Sequence, residues 1–247
     1  PWFTHHATDL IDGVNEQLGY ANWGIPRDTY NFLGDFVPLE VMTGALAVSW
    51  EEVDELTTIF KIREGVHWHD KAPMNGRELT ADDIAFNWNR FMGLGDWAED
   101  GPNATGMFKS MAVESITASD SHTLVWKLKE PFLGTWYEVL TAYAYRTLAP
   151  EVIQEHGSHK DWKTIVGSGP FELTDWVEDS SRTFTKNPNY WGFDEKYPNN
   201  RLPYFDEVKA LDIPEVETKL ASLRTGKLDG LVGMDRIDID PAQQLAK

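Results

Sequence analysis

One short segment limits the folds open to this chain more than any other. At Thr80, "TADDIAFNWNRFMG" begins with a residue that can accept a free helix N–H, followed by Asp82 and Asp83 in the first turn. Acidic side chains there satisfy unpaired amides and suit the positive helix end. Ile84, Trp88, Phe91 and Met92 then fall on one face, and Gly93 stops the helix. Upstream, "TTIFKI" (Thr57–Ile62) alternates and is rich in β-formers, which predicts a strand. The loop "REGVHWHDKAPMNGRE" joins the two. A helix and a strand in one stretch favour a fold that mixes the two.

The rest of the chain extends that pattern without regular βαβ alternation. "AVESITASDSHTLVWKLKEP" predicts a hairpin turning at Ser119–His122 and ending before Pro131. "FLGTWYEVL" reads as helical, and Pro150 opens a short helix that ends at Gly157. "SRTFTK" and "DEVKALDI" read as strands. Pro214 opens a helix with Val216, Leu220 and Leu223 on its apolar face, closed by Gly226. "KLDGLVGM" reads as a last strand. Near the start, Leu10, Val14 and Leu18 have weak helical spacing that ends near Gly19. This mixture predicts a mixed α/β or α+β fold.

Composition excludes several classes. The chain has 247 residues, 41% hydrophobic and 25% charged, enough for a sizeable core. Its formal net charge of −18 opposes binding to a phosphate backbone, so nucleic acid is excluded as a partner. No apolar run approaches the roughly 18 residues that would span a bilayer. The chain starts at Pro1, as expected of a processed form or an excised piece. There is no cysteine, hence no disulfide or thiolate metal site. The 11 tryptophans are unusual, and most are expected in the core, with a few lining a cleft.

Motifs for chemistry are weak. Gly167-Ser168-Gly169-Pro170 lacks the frame of either nucleotide loop, and it reads as a tight turn into a strand. His67-Trp68-His69-Asp70 offers two histidines on one extended face, but surface histidines in a loop are the better reading, so no metal is expected. No nucleophile motif is present, and no catalytic residue or cofactor is assigned. Trp176, Tyr190 and Trp191 are expected to pack a sheet and its edge.

Five segments in order resemble the extracytoplasmic solute-binding proteins of ABC importers, family 5, the oligopeptide-, dipeptide- and nickel-binding type. They are Leu46–Arg90, beginning "LAVSWEE" and containing "FKIREGVHWHDKAP"; the hairpin "VESITASDSHTLVWKLKEPF"; "RTLAPEV"; "VGSGPFELTDWVEDSSRTFTKNPNYWG"; and "DEVKALDIPEVETKLASLRTGKLDGLVGM". The chain departs from the family pattern at Lys71-Ala72, where Asp-Gly is usual, and at Ser168, where Thr is usual. Residues 1–45 carry little of the resemblance.

The resemblance implies a periplasmic binding protein type II-like architecture. Residues 1–226 would form lobe I with an appended β-rich subdomain over roughly 50–165. Residues 227–247 would begin the crossover into a second lobe, which is missing, so the chain looks like a fragment. It implies a non-enzymatic function: capture of a peptide or other small solute in a periplasmic or extracytoplasmic location, and delivery to membrane permease subunits. An oligosaccharide-binding member, a hydrolase rich in acids and tryptophan, and a purely interacting module are the alternatives. The solute-facing residues implied on this lobe are Tyr20, Asn22, Trp23, Met107, Phe108, Tyr143 and Arg146, with Arg146 suited to a solute carboxylate.

Overall fold

A computed structural model describes residues 13–22, 24–31, 38–99, 110–132, 139–140, 146–158 and 161–231. The described residues form a mixed α/β structure with three antiparallel sheets. Strands β1 (Gly19–Ala21) and β2 (Met42–Gly44) make a two-stranded ribbon. Strands β3 (Ala47–Asp54), β4 (Thr57–Ile62), β5 (Val113–Asp120) and β6 (Thr123–Leu128) form a four-stranded sheet in the order β3-β4-β6-β5. Strands β7 (Phe171–Val177), β8 (Ser181–Lys186) and β9 (Glu207–Leu211) form a third sheet in chain order.

The four-stranded sheet is organised by the helix expected from the sequence. Helix α1 (Ala81–Met92) starts at Thr80, whose backbone N–H donates to Asp83 Oδ2 at 3.0 Å, and ends at left-handed Gly93. Ile84, Trp88 and Met92 are buried against the sheet, while Phe91 packs at the margin. The alternation read in Thr57–Ile62 places Thr58, Phe60 and Ile62 inward. Phe60 lies opposite Trp50 and Leu124 in the ladder. Trp88 meets Trp126 edge to face, with ring centroids 4.9 Å apart, the arrangement that ring quadrupoles favour.

Asp83 does more than cap. Arg77 donates to its two oxygens at 2.8 and 2.7 Å and to both oxygens of Glu151 at 2.7 and 2.9 Å. Trp68 Nε1 also donates to Asp83, at 3.2 Å. Glu151 belongs to helix α2 (Pro150–His156), with Pro150 at its first turn and Gly157 beyond its end, as expected. Arg77 therefore ties both helix starts together.

Several expectations are corrected. Val14 and Leu18 are buried, but residues 13–18 form a turn leading into β1, not a helix. Val14 is pinned against the 167–171 turn and Leu18 against residues 45–47, in separate core clusters, so the spacing reflects burial alone. Strand β5 runs through Ser119 and Asp120, and the hairpin turns at Ser121-His122. Pro214 lies before the N-cap Glu215 of helix α3 (Val216–Arg224), and Val216 is exposed while Leu220 is buried. Residues 227–231 are not a strand, for they form no ladder. "FLGTWYEVL" falls mostly outside the described residues; within it, Val139 and Leu140 are helical and buried.

Candidate functional site

The Gly167–Pro170 turn is the hub of the site. It enters β7 as expected, and two remote segments grip it. Gly169 and Phe171 donate their N–H groups to the carbonyls of Val14 (2.9 Å) and Gly13 (2.8 Å). A Cβ on Gly167 would stand 1.8 Å from Val14 O, so two backbones meet here with no room for a side chain. On the other side lies His69, which corrects the reading of a surface histidine. His69 is buried, and its ring bridges the turn. Gly167 N–H can only donate, so Nδ1 accepts it (3.2 Å), and Nε2–H donates to Gly169 O (3.0 Å). Burial pushes the His69 imidazole down to about 4, so it is neutral here. Both ring nitrogens are thus engaged by backbone rather than presented to a metal. His67 is exposed, with Nδ1 3.0 Å from Gly65 O.

The same turn delivers Ser168 to a carboxyl that the sequence did not single out. Glu16 is only 8% exposed. Ser168 Oγ donates to its Oε2 at 2.9 Å, Trp191 Nε1 to both oxygens at 3.0 and 3.1 Å, and the Tyr190 hydroxyl to Oε1 at 3.2 Å. The Arg63 guanidinium stacks on Trp191, 4.1 Å from the ring centroid, while its Nε donates to Ala45 O. Tyr190 and Trp191 therefore do more than pack a sheet edge: their polar ends converge on one acid. Burial pushes the Glu16 carboxyl up to about 7, against the lowering effect of Trp191, Ser168 and Tyr190 and of nearby Arg63. Burial and the neighbouring Glu16 carboxylate push the Tyr190 phenol well above its ordinary range. A carboxyl poised near neutrality can exchange a proton, as a general acid must. Glu16 is nonetheless enclosed and its oxygens are taken by three side chains, so the arrangement holds segments together.

Nothing local in "GVNEQLGY" marked Glu16, since its partners lie about 150 to 175 residues away. The nearest available signal was the pairing of a tyrosine and a tryptophan with polar ring ends after "NPN", which must find acceptors if buried.

The residues expected to face solute fall partly on this framework. Tyr20 is on β1, 36% exposed, and paired with Thr43. Burial and then Glu195 push its phenol up, with Arg63 and Glu16 also within electrostatic reach. Asn22 follows β1; its N–H donates to Val41 O (2.8 Å), and its Oδ1 accepts from Gly24 N–H (3.0 Å). Arg146 Nη1 donates to Gln17 Oε1 at 3.0 Å. The structure thus brings Arg146 to the segment leading into β1, which carries Tyr20. Trp23, Met107, Phe108 and Tyr143 lie outside the described residues. Among the described residues no His, Asp or Glu cluster is arranged to hold a metal, and no helix is long and apolar enough to cross a membrane.

Comparison with known proteins agrees with this architecture. The chain is 28% identical over 199 residues to di/tripeptide-binding protein 2 of Pseudomonas aeruginosa, covering 76% of this chain and 37% of that protein. It is 29% identical over 197 residues to the dipeptide-binding protein DppE of Bacillus subtilis, covering 75% and 34% respectively. The chain thus spans about a third of the length of these relatives. Among solved structures, the periplasmic binding protein DppA of Helicobacter pylori, in complex with the peptide STSA, superposes with a TM-score of 0.69 at 25% identity, over 92% of this chain and 42% of that one. A substrate-binding protein from Sinorhizobium meliloti gives a TM-score of 0.72 at 22% identity, over all of this chain and 44% of that one, a likeness of fold. The fold is therefore that of a partial lobe of a family 5 periplasmic binding protein. The profile described as "Bacterial extracellular solute-binding proteins, family 5 Middle" matches residues 41–247, and the chain belongs to that family.

Proposed function

We propose that this chain serves as part of the solute-binding component of an ABC importer, capturing peptides outside the cytoplasmic membrane and delivering them to the permease. One observation carries the reading: beside the family match over residues 41–247, the relatives this chain resembles are named for dipeptides and tripeptides. Members of this family are extracellular or periplasmic binding proteins rather than enzymes. On the lobe present, Tyr20 and Asn22 at the end of β1, and Arg146 beside Gln17, would face the solute, together with Trp23, Met107, Phe108 and Tyr143. An aromatic wall with a few polar groups holds a peptide without trapping it. Arg146, oriented by Gln17, would meet the peptide carboxylate.

The test is thermal unfolding of the full-length protein with tri-alanine or maltotriose. Ligand at about a hundred times its Kd should stabilise the native state by about 2.7 kcal/mol and raise Tm by several degrees. A rise with tri-alanine, reduced by Arg146→Ala, is the expected result. A rise with maltotriose alone would move the reading to oligosaccharides, and hydrolysis of tri-alanine by the purified protein would replace it with an enzyme.

A further inference from the structure

Three remote parts of the chain meet at Glu16-Gln17. On the carboxyl side are Ser168 from the turn into β7 and Tyr190-Trp191 from the turn after β8. On the backbone side, Thr147 N–H donates to Glu16 O at 3.0 Å, while Arg146 reaches Gln17 Oε1. Immediately downstream the chain is fastened to the segment after β2: Leu46 N–H donates to Gln17 O, and Ala45 and Ala47 N–H both donate to Leu18 O. Tyr20 follows two residues later. The backbone between Glu16 and the strand that carries Tyr20 is thus fastened at Glu16, Gln17 and Leu18.

We propose that Glu16 is a positioning residue of the solute site: its carboxyl, held by Ser168, Tyr190 and Trp191, sets where β1 presents Tyr20 and Asn22 and where Arg146 is anchored. The inference rests on the peptide-binding reading above. It assigns Glu16 no contact with solute, since its side chain is enclosed.

A consequence for pH follows from what surrounds the carboxyl. Arg63 stacks on Trp191 beside it, Tyr190 donates to it, and Tyr20 is within electrostatic reach of both it and Glu195. Burial opposes its ionisation, and the donors and Arg63 favour it, so its proton is exchanged near neutrality. Solute binding that shifts β1 and loosens any of these three donors disfavours the charged form further. Binding near neutral pH then takes up part of a proton, and affinity falls as Glu16 ionises.

The experiment measures tri-alanine affinity of the full-length protein by calorimetry from pH 6 to pH 8.5, in buffers of different ionisation enthalpy. Glu16→Gln keeps the shape of the side chain and removes its titration. The wild type should lose about fivefold in affinity across this range and take up protons at neutral pH. In Glu16→Gln that part of the pH dependence and of the proton uptake should vanish. The tripeptide's own ammonium contributes equally to both proteins and cancels in the difference. Parallel profiles overturn the inference while leaving peptide binding intact; absence of tri-alanine binding by the wild type overturns both. Should Glu16→Gln fail to fold, Tyr190→Phe serves instead. It withdraws one donor from the carboxylate, so the fall in affinity should move to higher pH, and an unmoved profile overturns the inference.

Discussion

The four-stranded sheet under α1 and the three-stranded sheet β7–β9 are closed by different means. The first is sealed by apolar contact. Phe60, Trp68, Trp88 and Trp126 are fully buried with aliphatic neighbours in one continuous core. The second has only a small buried cluster, Val14, Leu173 and Phe184, and it leaves Val177, Leu211 and Phe205 exposed. It is held to the rest largely by polar contacts around one turn: Val14 O to Gly169, the His69 ring, and the Glu16 carboxyl. The contrast separates two kinds of stability. Apolar closure scales with buried area and responds little to pH. Polar closure depends on a few protonation states and on backbones fitting closely.

The sharpest way to break this contrast is truncation in each core. Trp126→Ala should cost about 5 kcal/mol, because the cavity is walled by Trp88 and by sheet residues that cannot collapse. Phe184→Ala should cost about 3 kcal/mol, the lower end for an aromatic, since its cluster is small and can relax. Urea unfolding would measure both, and equal costs would show that the two regions share one core.

The pH dependence comes next in size. Glu16 has a folded pKa raised from 4.5 to about 7, so it binds its proton more tightly when folded. Its contribution is fully present below pH 4.5 and is lost as pH rises to about 7, by about 3 kcal/mol. His69 has the opposite sign. Its folded pKa is lowered from 6.5 to about 4, so its contribution is present above pH 6.5 and is lost as pH falls to 4. Unfolding measured at pH 5 and pH 8 should therefore differ between wild type and Glu16→Gln, with the variant losing less stability at pH 8. Equal differences would show that the Glu16 carboxyl is solvated.

The smallest effect belongs to the surface. Phe205 is 70% exposed, and Phe205→Ser should change stability by no more than about 0.5 kcal/mol in the same unfolding measurement. A larger loss would mean that this ring is covered.

Legibility followed the same division. In the four-stranded region the strand Thr57–Ile62, the capped start at Thr80, the inward face Ile84, Trp88 and Met92, and the stop at Gly93 could all be read, because each depends on residues within a few positions. Around the third sheet the strand Ser181–Lys186 and the turn at Gly167–Pro170 were also legible, since turn chemistry is local. The helical spacing of Leu10, Val14 and Leu18 did not give a helix over residues 13–18, with Leu10 outside the described residues, because spacing reports burial and cannot tell a helix from a turn pressed against another segment.

The sequence by itself determined the α1 unit, the hairpin of β5 and β6, the absence of thiol chemistry and, through five ordered segments, the family. Tertiary structure alone decided that His69 is a buried neutral bridge, that Tyr190 and Trp191 donate to an acid, and that the acid is Glu16. The physical reason is distance along the chain. A cap or an alternating strand is fixed by neighbours in sequence, whereas a buried carboxyl acquires its partners and its pKa only when segments about 150 residues apart are folded together.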